Sequence, residues 1–171
     1  AVLLGHDGKV DAHDIRPEAL RELEVRAVRS GLCRPLDDIL KDSPGNDSGA
    51  GQENRALEHA TRGRITLLRT SPAASYDGVL VDAPCTGCGT WRRSPHLKWT
   101  TGAGQVTEAA GKQLALLRQF SARVQPGGRL VYATCSLSRF ENEAVVAAFL
   151  DEHPVFRPEP FAHTFGFEHG E

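Results

Sequence analysis

The sequence predicts an α/β fold in which a mostly parallel sheet is covered by helices on both faces. Segments with the apolar pattern of strands alternate along the chain with segments of helical period. Two of the strands, residues 78–83 and 129–134, are largely apolar runs, which is typical of strands buried on both faces. Helices that connect such strands return the chain to the same end of the sheet, so the strands pair in parallel.

The amino-terminal elements follow from apolar spacing. Residues 9–15 alternate as a short strand, and residues 64–69 predict a second one. Between them, Pro17 suits the first position of a helix and Gly31 suits its end. Residues 41 to about 58 are polar and have no apolar period, so a loop or disordered insertion is predicted there.

The carboxy-terminal half is predicted to alternate in the same way. Ser138 and Glu141 have the spacing of a capping box, which predicts a helix after them. The other predicted elements, in chain order, are a strand at 78–83, a loop at 87–104, a helix at 105–124, a strand at 129–134 and a strand at 156–161.

Composition limits the function classes. The 171 residues fit one domain, and a hydrophobic content of 40% is enough for a core. The longest apolar stretch, residues 144–150, is too short to span a bilayer, so a soluble cytoplasmic protein is expected. The net charge of −2 does not indicate a polyanion binder, so contact with nucleic acid requires a local basic patch.

Two segments indicate covalent chemistry. Residues 81–87 and 131–136 each contain an apolar run that leads to a cysteine, and a small hydroxyl residue follows the cysteine: Thr86 after Cys85, and Ser136 after Cys135. Because ligands of parallel sheets bind beyond the carboxyl ends of the strands, both thiols are expected at one edge of the sheet. A single cysteine at such a position is more often a small core residue. Two at matching strand ends favour a reactive pair.

Cys85 and Cys88 also form a Cys-x-x-Cys motif, which by itself suggests redox chemistry or zinc. A structural zinc site needs four ligands, and the sequence has no second Cys-x-x-Cys and no spaced histidine pair. No metal site is therefore predicted.

A basic and aromatic stretch follows the first cysteine segment. Arg92, Arg93 and Lys98 lie between Trp91 and Trp99. Cations can contact phosphates and tryptophan rings can stack on bases, so the stretch could be an RNA-binding surface. A charged loop exposed to water is an equally good interpretation of these residues.

Several motifs together resemble the Sun/NSUN (RsmB-like) family of RNA cytosine-5 methyltransferases. The resemblance is strong over residues 76–156 and weak over residues 2–31. The motifs that carry it are Asp82-Ala83-Pro84-Cys85-Thr86-Gly87, Trp91-Arg92-Arg93-Ser94-Pro95, Leu97-Lys98-Trp99, the run from Gly127 to Ser136, and Glu141-Asn142-Glu143.

This resemblance implies a Rossmann-like sheet, S-adenosylmethionine as cofactor, and a cytosine in single-stranded or loop regions of ribosomal or transfer RNA as substrate. It implies that Cys135 is the nucleophile that adds to carbon-6 of cytosine, and that Cys85 assists product release. Asp82 matches an acid near both the cofactor and the target base, and Asp14 matches the acid that grips the cofactor ribose. Read without the resemblance, Asp14 is equally a helix cap and Asp82 could cap the loop after its strand.

The resemblance further implies a partial catalytic domain over residues 1–171, because the family's first strand and glycine-rich cofactor loop would precede Ala1. Its sheet is then expected to have a gap, with unpaired strand edges. The rival interpretation is a non-catalytic RNA-binding or structural remnant of the family, since cofactor binding depends on the backbone amides of that loop.

Overall fold

The structure is a computed structural model, which describes residues 8–32, 65–68 and 70–159. The chain divides into two compact units, Ala1–Ala74 and Ser75–Glu171. The polar insertion predicted at residues 41 to about 58 lies outside the described residues.

The amino-terminal unit holds the elements β1 (Val10–His13), α1 (Pro17–Arg29) and β2 (Ile65–Leu68). The strands pair in parallel, with Val10 opposite Ile65 and His13 opposite Leu68. The helix α1 begins at Pro17, whose fixed φ suits the first turn. It ends before Gly31, which has a φ of 65°. These bounds agree with the sequence prediction.

The carboxy-terminal unit holds the remaining described elements. In chain order these are β3 (Tyr76–Asp82), a 3₁₀ turn (Cys88–Thr90), α2 (Leu97–Thr100), α3 (Ala103–Ser121), β4 (Val124–Ala133) and α4 (Glu143–Glu152). The strand β3 pairs with β4 in parallel and in regular register from Gly78 opposite Arg129 to Asp82 opposite Ala133. The register is irregular before Gly78, where Gly127 has a φ of 80°.

The core of this unit lies where α3 and α4 pack beside the two strands. Its buried members are Val81, Ala83, Leu117, Val145 and Phe149. Val79 packs against the same core, whereas Leu80, which points to the opposite face of β3, is 66% exposed. Burial of β3 is therefore greater on the face that meets the helices, where Val81 is buried and Val79 is half-buried, and the burial on both faces that the sequence predicted is not observed at Leu80.

Three local predictions were wrong. The stretch predicted as a loop at 87–104 contains the 3₁₀ turn, α2 and the start of α3. The helix α4 has Asn142 as its N-cap residue, so Ser138 and Glu141 do not form a capping box for it. Residues 156–159 carry no strand, and the last two residues of that predicted strand lie outside the described part of the chain.

The four described strands form two sheets of two strands each, β1 with β2 and β3 with β4. The expectation that the sheet has a gap stays a prediction, because each of these two sheets belongs to a separate unit. Within the described ranges, no helix has the length and apolar character needed to cross a membrane.

Candidate active site

The structure brings two thiols together. The Sγ atoms of Cys85 and Cys135 lie 3.1 Å apart, although 50 positions separate the two residues in sequence. Both cysteines are free thiols; Cys85 is half-buried and Cys135 is exposed. One small molecule approaching Cys135 from solvent would therefore meet both sulfur atoms.

Strand pairing explains this proximity. Asp82 and Ala133 are opposite each other at the ends of β3 and β4. The Cys85 loop (residues 83–87) leaves β3 at the same edge where the Cys135 loop (residues 134–142) leaves β4. A backbone hydrogen bond from the Ala83 amide to the Ala133 carbonyl extends the pairing by one step, at 2.9 Å. Each cysteine is then the second residue beyond that last bond.

The surroundings of Cys85 favour its protonated form. Burial, together with the adjacent Cys135 sulfur, raises the pKa of Cys85 to about 11. Cys85 therefore keeps its proton at neutral pH and can donate a hydrogen bond to Cys135.

The Glu141 carboxylate accepts hydrogen bonds from both cysteine loops. Its side chain is fully buried, and each carboxylate oxygen accepts two hydrogen bonds. Oε1 accepts from the Thr86 amide at 2.8 Å and from Gln113 Nε2 at 3.0 Å. Oε2 accepts from the Thr86 hydroxyl at 2.5 Å and from the Ser136 hydroxyl at 2.6 Å. All four acceptor sites of the carboxylate are used.

Glu141 is ionised at neutral pH. Burial opposes its charge, but the hydrogen bonds from Ser136, Thr86 and Gln113 outweigh burial and hold the pKa of Glu141 below its ordinary value. No Lys or Arg among the described residues forms an ion pair with it. Its charge is therefore stabilised by neutral donors alone.

Neighbouring residues fix Glu141 and the Cys135 loop further. The Tyr132 hydroxyl donates to the Glu141 carbonyl at 2.6 Å. Asn142 accepts from the Thr134 hydroxyl at 2.6 Å and donates to the Ser136 carbonyl at 2.8 Å. The Glu141-Asn142 pair of the motif thus holds the residues on both sides of Cys135.

Cys88 and Gly89, which follow the Cys85 loop, also form hydrogen bonds with the Cys135 loop. The Cys88 sulfur accepts from the Leu137 amide at 2.9 Å and lies 3.1 Å from the Ser136 hydroxyl. Burial opposes its ionisation, but these contacts hold the pKa of Cys88 below its ordinary value. The Gly89 amide donates to the Cys135 carbonyl at 3.0 Å. Cys88 therefore acts as a polar anchor for the Cys135 loop, and it is a free thiol.

Two further features lie beside the thiols. Asp82, the last residue of β3, is exposed and precedes the Cys85 loop directly. A cleft of about 260 Å³ opens next to Cys85, below the size typical of drug-sized ligand pockets. Its polar lining includes Thr86, Gln105 and Lys112.

Asp14 belongs to the amino-terminal unit, where it follows β1. Its Oδ1 accepts from the backbone amide and Nε of Arg16 at 2.8 and 3.1 Å, and its Oδ2 accepts from Nη2 at 2.9 Å. The hydrogen bonds from the Arg16 side chain have the largest effect and the one from its backbone amide comes next; together they hold the pKa of Asp14 below its ordinary value. Arg16 is the N-cap residue of α1 and its side chain makes no capping bond, so Asp14 stabilises the entry to the helix indirectly.

The basic and aromatic stretch is exposed. Arg92, Arg93 and Lys98 lie in a segment, residues 83–107, that contains no Asp or Glu. None of the three forms an ion pair with another described residue. Trp99 is 83% exposed, and the Lys98 ammonium lies 5.5 Å from the centre of its ring. A local positive surface therefore exists despite the negative net charge.

Sequence reasoning missed Glu141, which it assigned to a capping box. The partners of Glu141 lie 55, 28 and 5 positions away, so no local pattern could reveal them. Two signals were available: the hydroxyl residue that follows each cysteine, and the motif Glu141-Asn142-Glu143. No group of three or more His, Cys, Asp or Glu side chains that could hold a metal ion is found in the described part of the chain.

Substitution of Gly89 by alanine is expected to destabilise the protein by about 1–3 kcal/mol, because the new Cβ would lie 2.4 Å from the Cys135 carbonyl oxygen. Gly111, inside α3 with open space around it, is the matched control. Gly111→Ala should stabilise by about 0.5–1 kcal/mol. Urea unfolding measures both, and an unchanged midpoint for Gly89→Ala would contradict the close approach.

Glu141→Gln is expected to lower the free energy of unfolding at pH 7 by about 2 kcal/mol, because hydrogen bonds to a buried charge are lost. Since the folded-state pKa of Glu141 is lowered, its stabilisation is present above the ordinary value of 4.5 and is lost as the pH falls below it. The difference between wild type and variant should therefore shrink from pH 7 to pH 3.5. Exposed Glu143, changed to Gln, is the control, and a difference that does not vary with pH would contradict an ionised Glu141.

Known proteins are similar to this chain in sequence. The family model for 16S rRNA methyltransferase RsmB/F matches residues 45–169. The probable ribosomal RNA small subunit methyltransferase B of Synechocystis is 41% identical over 164 residues, which cover 96% of this chain and 32% of the relative. The chain spans between 18% and 32% of the length of the curated relatives considered.

Two solved structures resemble the chain. The crystal structure of PH0851 is 26% identical with a TM-score of 0.69, covering 92% of this chain and 31% of that one. A methyltransferase homolog protein from Pyrococcus horikoshii is 27% identical with a TM-score of 0.57, covering 85% of this chain and 37% of that one. The fold is therefore α/β and Rossmann-like, as the sequence predicted. Because the family model covers well over half of the residues, the chain belongs to the RsmB/F family of 16S rRNA methyltransferases.

Proposed function

We propose that this chain carries the reacting groups of an S-adenosylmethionine-dependent ribosomal RNA methyltransferase that modifies carbon-5 of cytosine through a covalent adduct with Cys135. The observation that supports this most is the 3.1 Å separation of the Cys85 and Cys135 sulfur atoms in a chain of this family. Two thiols at one exposed sheet edge suit a reaction that needs a nucleophile and a separate proton acceptor on a single ring.

Cys135 is the nucleophile in this proposal. It is exposed, whereas Cys85 is half-buried and protonated at neutral pH. The Cys135 thiolate adds to carbon-6 of the cytosine, and the electron pair of the 5,6 double bond makes carbon-5 nucleophilic. When bound, S-adenosylmethionine supplies the methyl group that carbon-5 accepts.

Cys85 takes part after methylation. While Cys135 is a thiolate, its negative charge and its hydrogen bond with Cys85 both favour the protonated form of Cys85. Both influences end once the Cys135 sulfur is a thioether, so proton loss from Cys85 becomes easier. Cys85 can then accept the carbon-5 proton, directly or through a water molecule, and the carbon–sulfur bond to Cys135 breaks to restore the aromatic ring.

Asp82 and the cleft beside Cys85 favour the target base as occupant of this edge. An exposed carboxylate can accept a hydrogen bond from, or give charge support to, the protonated nitrogen edge of the adduct. The cleft is small, which suits a single-ring base more than a larger ligand. The base must leave its stack to reach the thiols, and single-stranded or loop RNA makes this least costly.

Two acidic side chains, Asp82 and Asp14, suit the cationic and hydroxyl groups of the cofactor. Asp82 has an exposed, acceptor-only carboxylate, which suits the cationic and hydroxyl groups of S-adenosylmethionine. Asp14 has four acceptor sites, of which Arg16 fills three. A ribose hydroxyl could use the remaining site on Oδ2, and the exposed Arg16 side chain could move into water to free the others.

The positive surface of Arg92, Arg93 and Lys98 would hold the RNA backbone near the thiols. These cations neutralise phosphates without reading sequence, and exposed Trp99 offers a ring on which a base can stack.

Cys135→Ala is expected to abolish both methyl transfer and adduct formation, whereas Cys85→Ala should form the adduct and release it slowly. Radiolabelled methyl transfer to 16S rRNA measures the first effect, and denaturing gels that separate RNA-linked protein measure the second. Calorimetric titration with S-adenosylmethionine serves as the control for cofactor binding in each variant. Wild-type protein that binds cofactor and RNA without methylating would favour the non-catalytic alternative.

Replacing Arg92, Arg93 and Lys98 together by alanine should weaken RNA binding for all sequences alike. Each lost phosphate contact should reduce the slope of log affinity against log salt by about 0.7 for single-stranded RNA. The control replaces three exposed arginines of α1 (Arg21, Arg26 and Arg29), which changes the net charge equally. Equal slopes for the two triple variants would contradict a specific RNA surface.

A further inference from the structure

Each cysteine of the thiol pair is followed by a small hydroxyl residue, and the proposed chemistry uses neither hydroxyl. Thr86 follows Cys85 and Ser136 follows Cys135. Both hydroxyls donate to the same oxygen, Oε2 of Glu141, at 2.5 and 2.6 Å. One buried carboxylate oxygen therefore joins the residues that come directly after the two thiols.

The arrangement of Glu141 is not that of an ordinary core residue. Its charge is buried without a cation among the described residues, and burying a carboxylate is costly unless hydrogen bonds compensate. Packing alone would be served equally well by an apolar side chain of similar size. What a carboxylate adds is four directional bonds, which fix the two loops relative to each other.

Other contacts fit the same role. Gln113 on α3 donates from one amide nitrogen to Glu141 Oε1 and to the Pro84 carbonyl, at 3.0 and 2.9 Å. The carbonyl of Pro84 belongs to the residue immediately before Cys85. The helix α3, the Cys85 loop and the Cys135 loop therefore all meet at the Glu141 carboxylate.

We propose that Glu141 is the positioning residue that sets the distance between the Cys85 and Cys135 thiols. For its effect on methylation the inference rests on the proposed function, but the thiol distance itself does not. Glu141 touches neither sulfur. It acts through Thr86 and Ser136, so its loss would leave both cysteines in place but let the two loops move apart.

Oxidation by glutathione disulfide reports on this distance without RNA or cofactor. The Cys135 thiolate attacks the disulfide, forms a mixed disulfide and releases one glutathione thiolate. Cys85 then displaces the second glutathione, gives up its proton to solvent, and the protein disulfide forms as two electrons pass to the oxidant. Sulfurs that start 3.1 Å apart need to approach by about 1 Å to reach bonding distance.

Wild-type protein should yield mainly the Cys85–Cys135 disulfide. Mass spectrometry should find peptide 130–139 linked to peptide 70–92, and fragmentation should place the link at Cys85 and not at Cys88. In Glu141→Gln the second step should slow by about 10- to 100-fold, the cost expected for a misplacement of about 1 Å, and the mixed disulfide at Cys135 should accumulate. The control is Glu143→Gln, two residues away and exposed, which should behave as wild type.

Thr86→Val provides a second test if Glu141→Gln fails to fold. This change removes only the hydroxyl donor and leaves the Thr86 amide bonded to Oε1. It should slow the second step in the same direction by a smaller factor. Glu141→Asp, which keeps the charge but shortens the side chain, should restore part of the rate lost in Glu141→Gln. Unchanged disulfide formation in folded Glu141→Gln, or in Thr86→Val, would overturn the proposal.

Methylation kinetics give an independent measure. Because Glu141 contacts no substrate, Glu141→Gln should lower kcat by about 10-fold or more while KM for RNA changes by less than about twofold. An increase in KM with unchanged kcat would overturn the positioning role. If wild-type protein does not methylate but its disulfide formation depends on Glu141, the proposed function fails and the positioning role stands.

Discussion

The parallel pairing of β3 with β4 is the constraint on which the candidate site depends. Asp82 lies opposite Ala133, so both strands end at the same level and both loops begin there. A shift of one residue would turn the side chains of one strand to the other face of the sheet. The core contacts of Val79 and Val81 oppose such a shift, because these side chains pack against α3 and α4. The hydrophobic core thus determines where the two thiols meet.

Strand pairing brings the two cysteine loops together, and polar contacts then fix their positions more closely. The proposed nucleophile, Cys135, is exposed, but the atoms that orient its loop are buried or half-buried: the Glu141 carboxylate, the Asn142 amide and the Cys88 sulfur. This division is physically reasonable. A nucleophile must be reached by its substrate, whereas the hydrogen bonds that aim it are stronger where water is excluded. Gly89 belongs to this layer because only a residue without Cβ can approach the Cys135 carbonyl so closely.

The sequence predicted the parts of the fold that repeat a local pattern. The apolar runs predict strand ends at residues 83 and 134, within one residue of the observed ends at Asp82 and Ala133, and they predict that Cys85 and Cys135 lie at one edge. The helix α2 was missed because four residues are too few to show a helical period. Glu141 was misassigned because its spacing from Ser138 imitates a local cap, while its strongest partners come from β-strand ends and a helix distant in sequence. The hydrogen bonds from Arg16 to Asp14 could not be predicted from the sequence either, since they depend on the turn into α1.

Cys135, and not its neighbour Cys85, is proposed to form the bond to the pyrimidine. RNA that carries 5-fluorocytosine tests this assignment. Fluorine replaces the carbon-5 proton whose removal releases the enzyme, so the covalent adduct persists. After incubation with S-adenosylmethionine and digestion with trypsin, mass spectrometry should find the nucleotide on the peptide of residues 130–139, at Cys135. A nucleotide attached to Cys85 or Cys88, or no covalent complex while both cofactor and RNA are bound, would contradict the account.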